Sequence, residues 1–315
     1  MNTILKYFEN AFNQRHLMMG VAMIMVILYH LFDVVNSKCL AIFYPGFMGV
    51  DIFLFLSGYG LCFAFNKYEL QIFYKRRILR IIPLFVMMAF IVTLIKVSTG
   101  QSANIWDWFC NLSTLSYYQC GGFFVDWYLS ALLLFYLTFP LLYRLMKHRM
   151  GGRIILLTIA IVLTLSSLFD IKWYYETALG RLPFFMSGIL CYITSKEKAI
   201  KSVCSIYGIA LLIALILYFK GYIATYMVVY MSAPFILIAV SWFIEIISPR
   251  LVLKRFIEYV GKHSLEFYTA NVCICLLVIF VDNTYFKIIG YFVLHLFLVP
   301  LFTFADSLFH KVFDR

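Results

Sequence analysis

Phe47-Met48-Gly49-Val50-Asp51-Ile52-Phe53-Leu54-Phe55-Leu56-Ser57-Gly58-Tyr59 carries a single charged group, and it lies inside an apolar run over 46–65. About 20 apolar residues is the length an α-helix needs to cross a bilayer core. A carboxylate at that depth is costly unless paired or hydrated, so Asp51 marks a pathway, a reaction centre or a polar clasp between helices.

The runs on either side extend the pattern. Residues 17–36 form the preceding apolar run, with His30 inside it, and 79–97 form the next one, which follows the basic segment Lys75-Arg76-Arg77-Ile78-Leu79-Arg80. Further runs fall at 123–143, 154–170, 179–195, 202–219, 222–247, 264–282 and 286–309, which makes ten. Hydrophobic residues make up 64% of the 315-residue chain and charged residues 13%, with a mean hydropathy of +0.91. A soluble domain is about 45–50% apolar and about 25% charged. The expected fold is therefore all-α, a polytopic transmembrane bundle of about ten helices in one domain over 1–315. The polar N-terminal stretch leads straight into a full-length apolar run, so the first helix is expected to be an uncleaved anchor.

Charge placement gives the expected orientation. With the N-terminus inside, 20 of the 26 Lys and Arg fall in the inner segments, and Lys38, Lys96, Lys172, Arg181, Lys220 and Lys287 fall singly at outer segments or helix edges. Basic loops belong on the cytoplasmic side, so both termini are expected there. The net charge of +11 is then a topology signal rather than a nucleic-acid footprint.

Two ionisable groups share a depth on this reading. His30 is roughly 20 Å along its helix, in the outer half, and Asp51 is about 7–8 Å below the outer end of the next. A carboxylate beside an imidazole fixes its tautomer and raises its basicity, which prepares it to take a proton from a hydroxyl. Asp33, nearly a turn beyond His30, is a second candidate partner. A purely structural His30–Asp51 pair is the alternative. The basic segment also has two readings. Arg77 and Arg80 are three apart and share a helix face, so with Arg76 they can clamp a polyanion, while a basic loop also serves topology.

Other features carry less. Asn104-Ile105-Trp106-Asp107-Trp108-Phe109 suits a short helix lying in an interface, with aromatic anchoring as its simplest role. The eight Cys form no CxxC pair; Cys273 and Cys275 are expected to pack, and Cys110 and Cys120 could pair in an oxidising compartment. No phosphate-cradling glycine loop, nucleophile elbow or zinc motif is present.

The blocks Leu28-Tyr29-His30, Phe47 to Tyr59 and Phe73-Tyr74-Lys75-Arg76-Arg77-Ile78-Leu79-Arg80-Ile81-Ile82-Pro83 together resemble the integral-membrane acyltransferase 3 family. Trp127-Tyr128-Leu129, Arg181-Leu182-Pro183-Phe184-Phe185 and Gly261-Lys262-His263-Ser264-Leu265 extend the likeness over nearly the whole chain. The resemblance implies transfer of an acyl group, commonly acetyl from acetyl-CoA, to hydroxyls of surface polysaccharides or lipid-linked glycans. It makes His30 the catalytic base and Arg77 and Arg80 the contacts for CoA phosphates; the shared depth adds Asp51 beside His30, and the basic inner mouth adds Arg76 to the phosphate contacts. The implied donor is acetyl-CoA or another acyl-CoA, without a metal. The implied partners are the lipid bilayer and a surface glycan acceptor, and the implied location is the bacterial cytoplasmic membrane. The chain departs from the pattern at Met19, where Arg or Lys is usual, and at Asn271, where many members have histidine. It also lacks the acidic residue often found near the tryptophan of the fourth helix, here Trp127, since Ala131 and Leu132 follow Ser130. A glycan transporter or polymerase is the competing reading, against which stands the lack of a half-to-half repeat.

Overall fold

A computed structural model describes residues 2–100, 103–118, 126–147, 150–247 and 249–313. The helices in chain order are α1 (Asn2–Asn13), α2 (Arg15–Val35), α3 (Gly49–Lys67), α4 (Leu70–Ser98), α5 (Ile105–Leu112), α6 (Leu115–Tyr118), α7 (Trp127–Lys147), α8 (Gly151–Leu168), α9 (Trp173–Ile193), α10 (Lys196–Phe219), α11 (Thr225–Met231), α12 (Ala233–Ile247), α13 (Leu251–Lys262), α14 (Ser264–Val278) and α15 (Thr284–Phe313). A 3₁₀ segment, Lys38–Met48, runs into α3. The expected all-α membrane bundle is what the chain forms.

Among the described residues, seven helical stretches are long and apolar enough to span a membrane, or eight if α11 and α12, bent by 61°, count as one broken span. Ten runs were expected. The two that fall short do so for different reasons. The helix α9 carries Glu176 and Arg181, which lower its apolarity, whereas α14 has only 15 residues, about 22 Å at 1.5 Å per residue.

The chain divides into two compact units, interleaved in sequence. The first comprises residues 1–22, 48–73 and 134–261. Its most extensive pairing is α3 against α9, and glycine makes it possible. A Cβ on Gly58 would fall 2.1 Å from the Phe185 carbonyl oxygen, and one on Gly188 2.1 Å from that of Phe55. The same device joins α2 to α13, where a Cβ on Gly20 would meet the Ile257 oxygen at 2.0 Å and one on Gly261 the His16 oxygen at 1.8 Å. Lipid gives helices no hydrophobic reason to associate, so close backbone approach supplies the attraction instead. Gly58→Ala should therefore cost on the order of 1–3 kcal/mol, since a carbonyl in a helix cannot yield as a side chain can. A lowered unfolding midpoint in detergent checks this.

The amphipathic α1 was not among the expected elements. It belongs to the same unit through Lys6 and Asn10, whose Nζ and Nδ2 donate to Glu245 at 3.1 and 2.6 Å, and through Ser241, whose hydroxyl donates to the Tyr7 carbonyl at 2.7 Å.

The second unit comprises 23–47, 74–133 and 262–315, with α14 packed along α15. The 3₁₀ segment lies close on α2, because a Cβ on Gly46 would fall 2.2 Å from the Met25 oxygen. The C-terminal end of α2 is met by Lys287 Nζ, which donates to the Val34 carbonyl at 3.4 Å, a favourable charge for that pole of a helix. The expected helix near Trp106 is α5, closed by a capping box in which the Asp107 amide donates to Asn104 and the Asn104 amide to Asp107. Ile105, Trp106 and Phe109 are exposed, while Asn111 is buried and donates to Thr93 at 3.3 Å. Cys110 is buried, and Cys120 lies outside the described residues.

Candidate functional site

The second unit holds both the basic segment and His30. A cavity of about 650 Å³ opens among Arg76, Arg77, Arg80, Lys262, His263 and Glu266, with Leu79, Leu84, Leu265 and Asp306 completing its wall. Four cations therefore face two carboxylates, and Glu266 is engaged by His263, whose Nδ1 lies 3.3 Å from its Oε1. Arg77 and Arg80 lie about one turn apart on α4, with Arg76 adjacent to Arg77, and all three line the cavity, so the three-residue spacing expected from sequence does bring its two arginines to one wall. The volume lies within the range of small-molecule sites, about 300–1,000 Å³. Multiple guanidiniums in one cavity suit a phosphorylated ligand, since each presents a planar fork of donors.

The same helix that lines this cavity leads to His30. On α14, Glu266 is at the wall, and Asn271 lies five residues further, about 7.5 Å along the axis. Asn271 is fully buried, and its amide meets both His30 Nδ1 and the Tyr291 hydroxyl. Tyr291, on α15, is likewise fully buried, and its hydroxyl donates to the Ile27 carbonyl at 2.8 Å. His30 itself is half-buried, with its ring 5.2 Å from that of Tyr29. The imidazole is thus oriented through one nitrogen.

Tyr268, a turn before Asn271, donates its hydroxyl to Asp126 at 2.9 Å. Asp126 is buried and also accepts from the amides of Tyr128 and Leu129, which seats it at the N-terminal end of α7. The acidic residue expected to be missing near Trp127 is thus present immediately before it, as Asp126.

Asp51 belongs to the first unit and has its partner there. Its Oδ1 accepts from Arg181 Nε at 3.2 Å, with both side chains 2% exposed. The Arg181 guanidinium stacks on the Tyr230 ring at 4.3 Å from its centroid and donates to the Tyr230 hydroxyl at 3.4 Å, and that hydroxyl donates to Thr177 at 3.3 Å. Nearby on α9, Glu176 accepts from the Tyr226 hydroxyl. Arg181, expected at an outer helix edge, is instead a fully buried anchor. The expected pairing of Asp51 with His30 joins residues of different units; within its own unit each has a hydrogen-bond partner, Arg181 for Asp51 and Asn271 for His30.

A family profile described as an acyltransferase domain matches residues 16–305. The chain belongs to the acyltransferase 3 family. The match takes in α2 through most of α15, and so both the arginine-lined cavity and the His30 cluster. Among curated proteins, the O-acetyltransferase OatA of Staphylococcus aureus is 28% identical over 191 residues in strains NCTC 8325 / PS 47, COL and MW2. That stretch is 51% of this chain and 30% of the relative, so the chain spans under a third of the length of these curated proteins. No solved structure matches.

Two parts of this candidate site escaped the sequence reading as partners. Asn271 drew notice only as a departure from the family's pattern, and Tyr291 drew none. Both lie in apolar runs, where a lone polar residue signals a contact without naming it.

Proposed function

We propose that this chain transfers an acyl group, acetyl foremost, from acyl-CoA to a hydroxyl of a cell-surface or lipid-linked glycan in the bacterial cytoplasmic membrane. The observation that carries the reading is the run of α14 from a cavity lined by Arg76, Arg77, Arg80 and Lys262 to the amide that holds His30. The donor's phosphates sit at the arginines on the cytoplasmic side, and its flexible arm, rather than its headgroup, covers the remaining distance. His30 takes the proton of the acceptor hydroxyl as that oxygen attacks the thioester carbonyl. The carbon–sulfur bond then breaks, and the same proton passes from the imidazolium to the departing thiolate. Helices around the thioester exclude water and so suppress hydrolysis.

Asp51 serves the same reading by fixing α3 through Arg181. A glycan transporter has less support, because a cavity crowded with guanidiniums suits phosphate better than neutral sugar.

The defining experiment compares surface glycan from a deletion strain with the complemented strain by mass spectrometry. Loss of an acetyl increment with polymer intact supports acyl transfer, whereas loss of the polymer itself refutes it. Arg77→Ala and Arg80→Ala should each weaken acyl-CoA affinity by on the order of ten- to a hundredfold, the worth of a charge-assisted contact, with turnover at saturating donor retained. Calorimetric titration of detergent-solubilised protein with CoA measures this, and unchanged affinity removes the residue from the site.

A further inference from the structure

The cluster around His30 contains one proton fewer than a literal reading of its contacts requires. The Tyr291 hydroxyl stands 2.8 Å from the Ile27 carbonyl and also against the Asn271 amide. The other end of that amide meets His30 Nδ1. The oxygen and nitrogen of an asparagine amide are distinguished by the network they complete.

With Oδ1 turned to Tyr291, two oxygens compete for a single phenolic proton, and one close oxygen–oxygen contact is left without any. Nδ2 would then donate to Nδ1, and the imidazole proton would sit on Nε2, occupying the site a base must keep open. With the amide rotated by half a turn, each contact holds one proton. His30 Nδ1–H donates to Asn271 Oδ1, Asn271 Nδ2–H donates to Tyr291 Oη, and Tyr291 O–H donates to the Ile27 carbonyl. Cys275, which also faces Tyr291, can donate to the second lone pair of Oη without disturbing this order. Asn271 and Tyr291 are both fully buried, so water cannot relieve the mismatch of the first arrangement.

We propose that Asn271 and Tyr291 are positioning residues that lock His30 in its Nδ1–H tautomer and present the Nε2 lone pair as the proton acceptor. The Ile27 carbonyl sets the direction of the chain, because a carbonyl only accepts. An amide achieves the orientation without placing another charge in the bundle, where a carboxylate would need its own counter-ion. The functional consequence rests on the acyl-transfer reading, but the tautomer itself does not.

Nitrogen-15 spectra of the full chain in detergent, labelled at its six histidines, report the tautomer directly near neutral pH. Subtraction of a His30→Gln spectrum identifies the ring. His295 supplies an internal reference, since its Nδ1 lies 2.7 Å from the Tyr291 carbonyl and can only donate to it. The expected result is a protonated Nδ1 and an unprotonated Nε2 for His30. A protonated Nε2 with bare Nδ1 overturns the proposal. Tyr291→Phe should release the amide, mix the tautomers and lower turnover about tenfold at unchanged donor KM, whereas Asn271→Asp, still an acceptor for Nδ1–H, should keep the tautomer. An unmixed tautomer in Tyr291→Phe removes Tyr291 from the lock. These spectra need no donor, so a glycan still acylated in a His30→Ala strain defeats the reading of His30 as the base and leaves the tautomer standing.

Discussion

Replacing His30 with alanine should lower acyl transfer by a factor on the order of 10²–10⁴, the usual worth of a positioned general base, while the protein still accumulates in the membrane. The second half of that expectation follows from the surroundings. His30 is half-buried and bonds through one nitrogen, so its removal orphans one side of the Asn271 amide, a cost of about 1–3 kcal/mol that a folded bundle can absorb. Transfer is to be measured per mole of membrane protein, with radiolabelled acyl-CoA and a soluble glycan acceptor. His30→Gln is the companion variant, because its amide can still bond Asn271 yet cannot take the proton. If either variant transferred at the wild-type rate, the imidazole would have no part in the chemistry.

Arg181→Ala should act on stability rather than on rate. The guanidinium is 2% exposed, pairs with Asp51 at 3.2 Å and covers Tyr230. Truncating it abandons a carboxylate in the interior, and breaking such a pair from one side costs about 3–5 kcal/mol. The readout is a lowered unfolding midpoint in detergent and a fall in membrane content. Replacing both partners together, as Asp51→Leu with Arg181→Met, should recover most of the loss, because no uncompensated charge remains. A midpoint unmoved by Arg181→Ala would mean that the pair contributes nothing to holding α3 against α9.

The membrane class was legible in the sequence because long apolar runs are local and abundant. So was the arginine wall, since Arg77 and Arg80 are three residues apart on one helix and need no tertiary knowledge to be placed together. The partners of the ionisable residues were not legible. Asp51 finds Arg181 130 positions away, and His30 finds Asn271 241 positions away. Hydropathy records depth but not azimuth, so it placed His30 and Asp51 at one level without indicating which neighbour each faces. Arg181 was misjudged for a related reason. A cation near the end of an apolar run reads as a boundary, and only the fold reveals a carboxylate and a tyrosine ring waiting for it.

The paired glycines at the two closest helix contacts bear on how this chain can diverge. Exposed positions of the apolar α15 such as Leu296 and Phe304 can drift among greasy residues of any bulk. Gly20, Gly58, Gly188 and Gly261 cannot, although none of them touches a reactant. A saturation screen scored only by cell-surface modification would rank these four beside the imidazole and the arginines, and would mistake the seams of the scaffold for its chemistry.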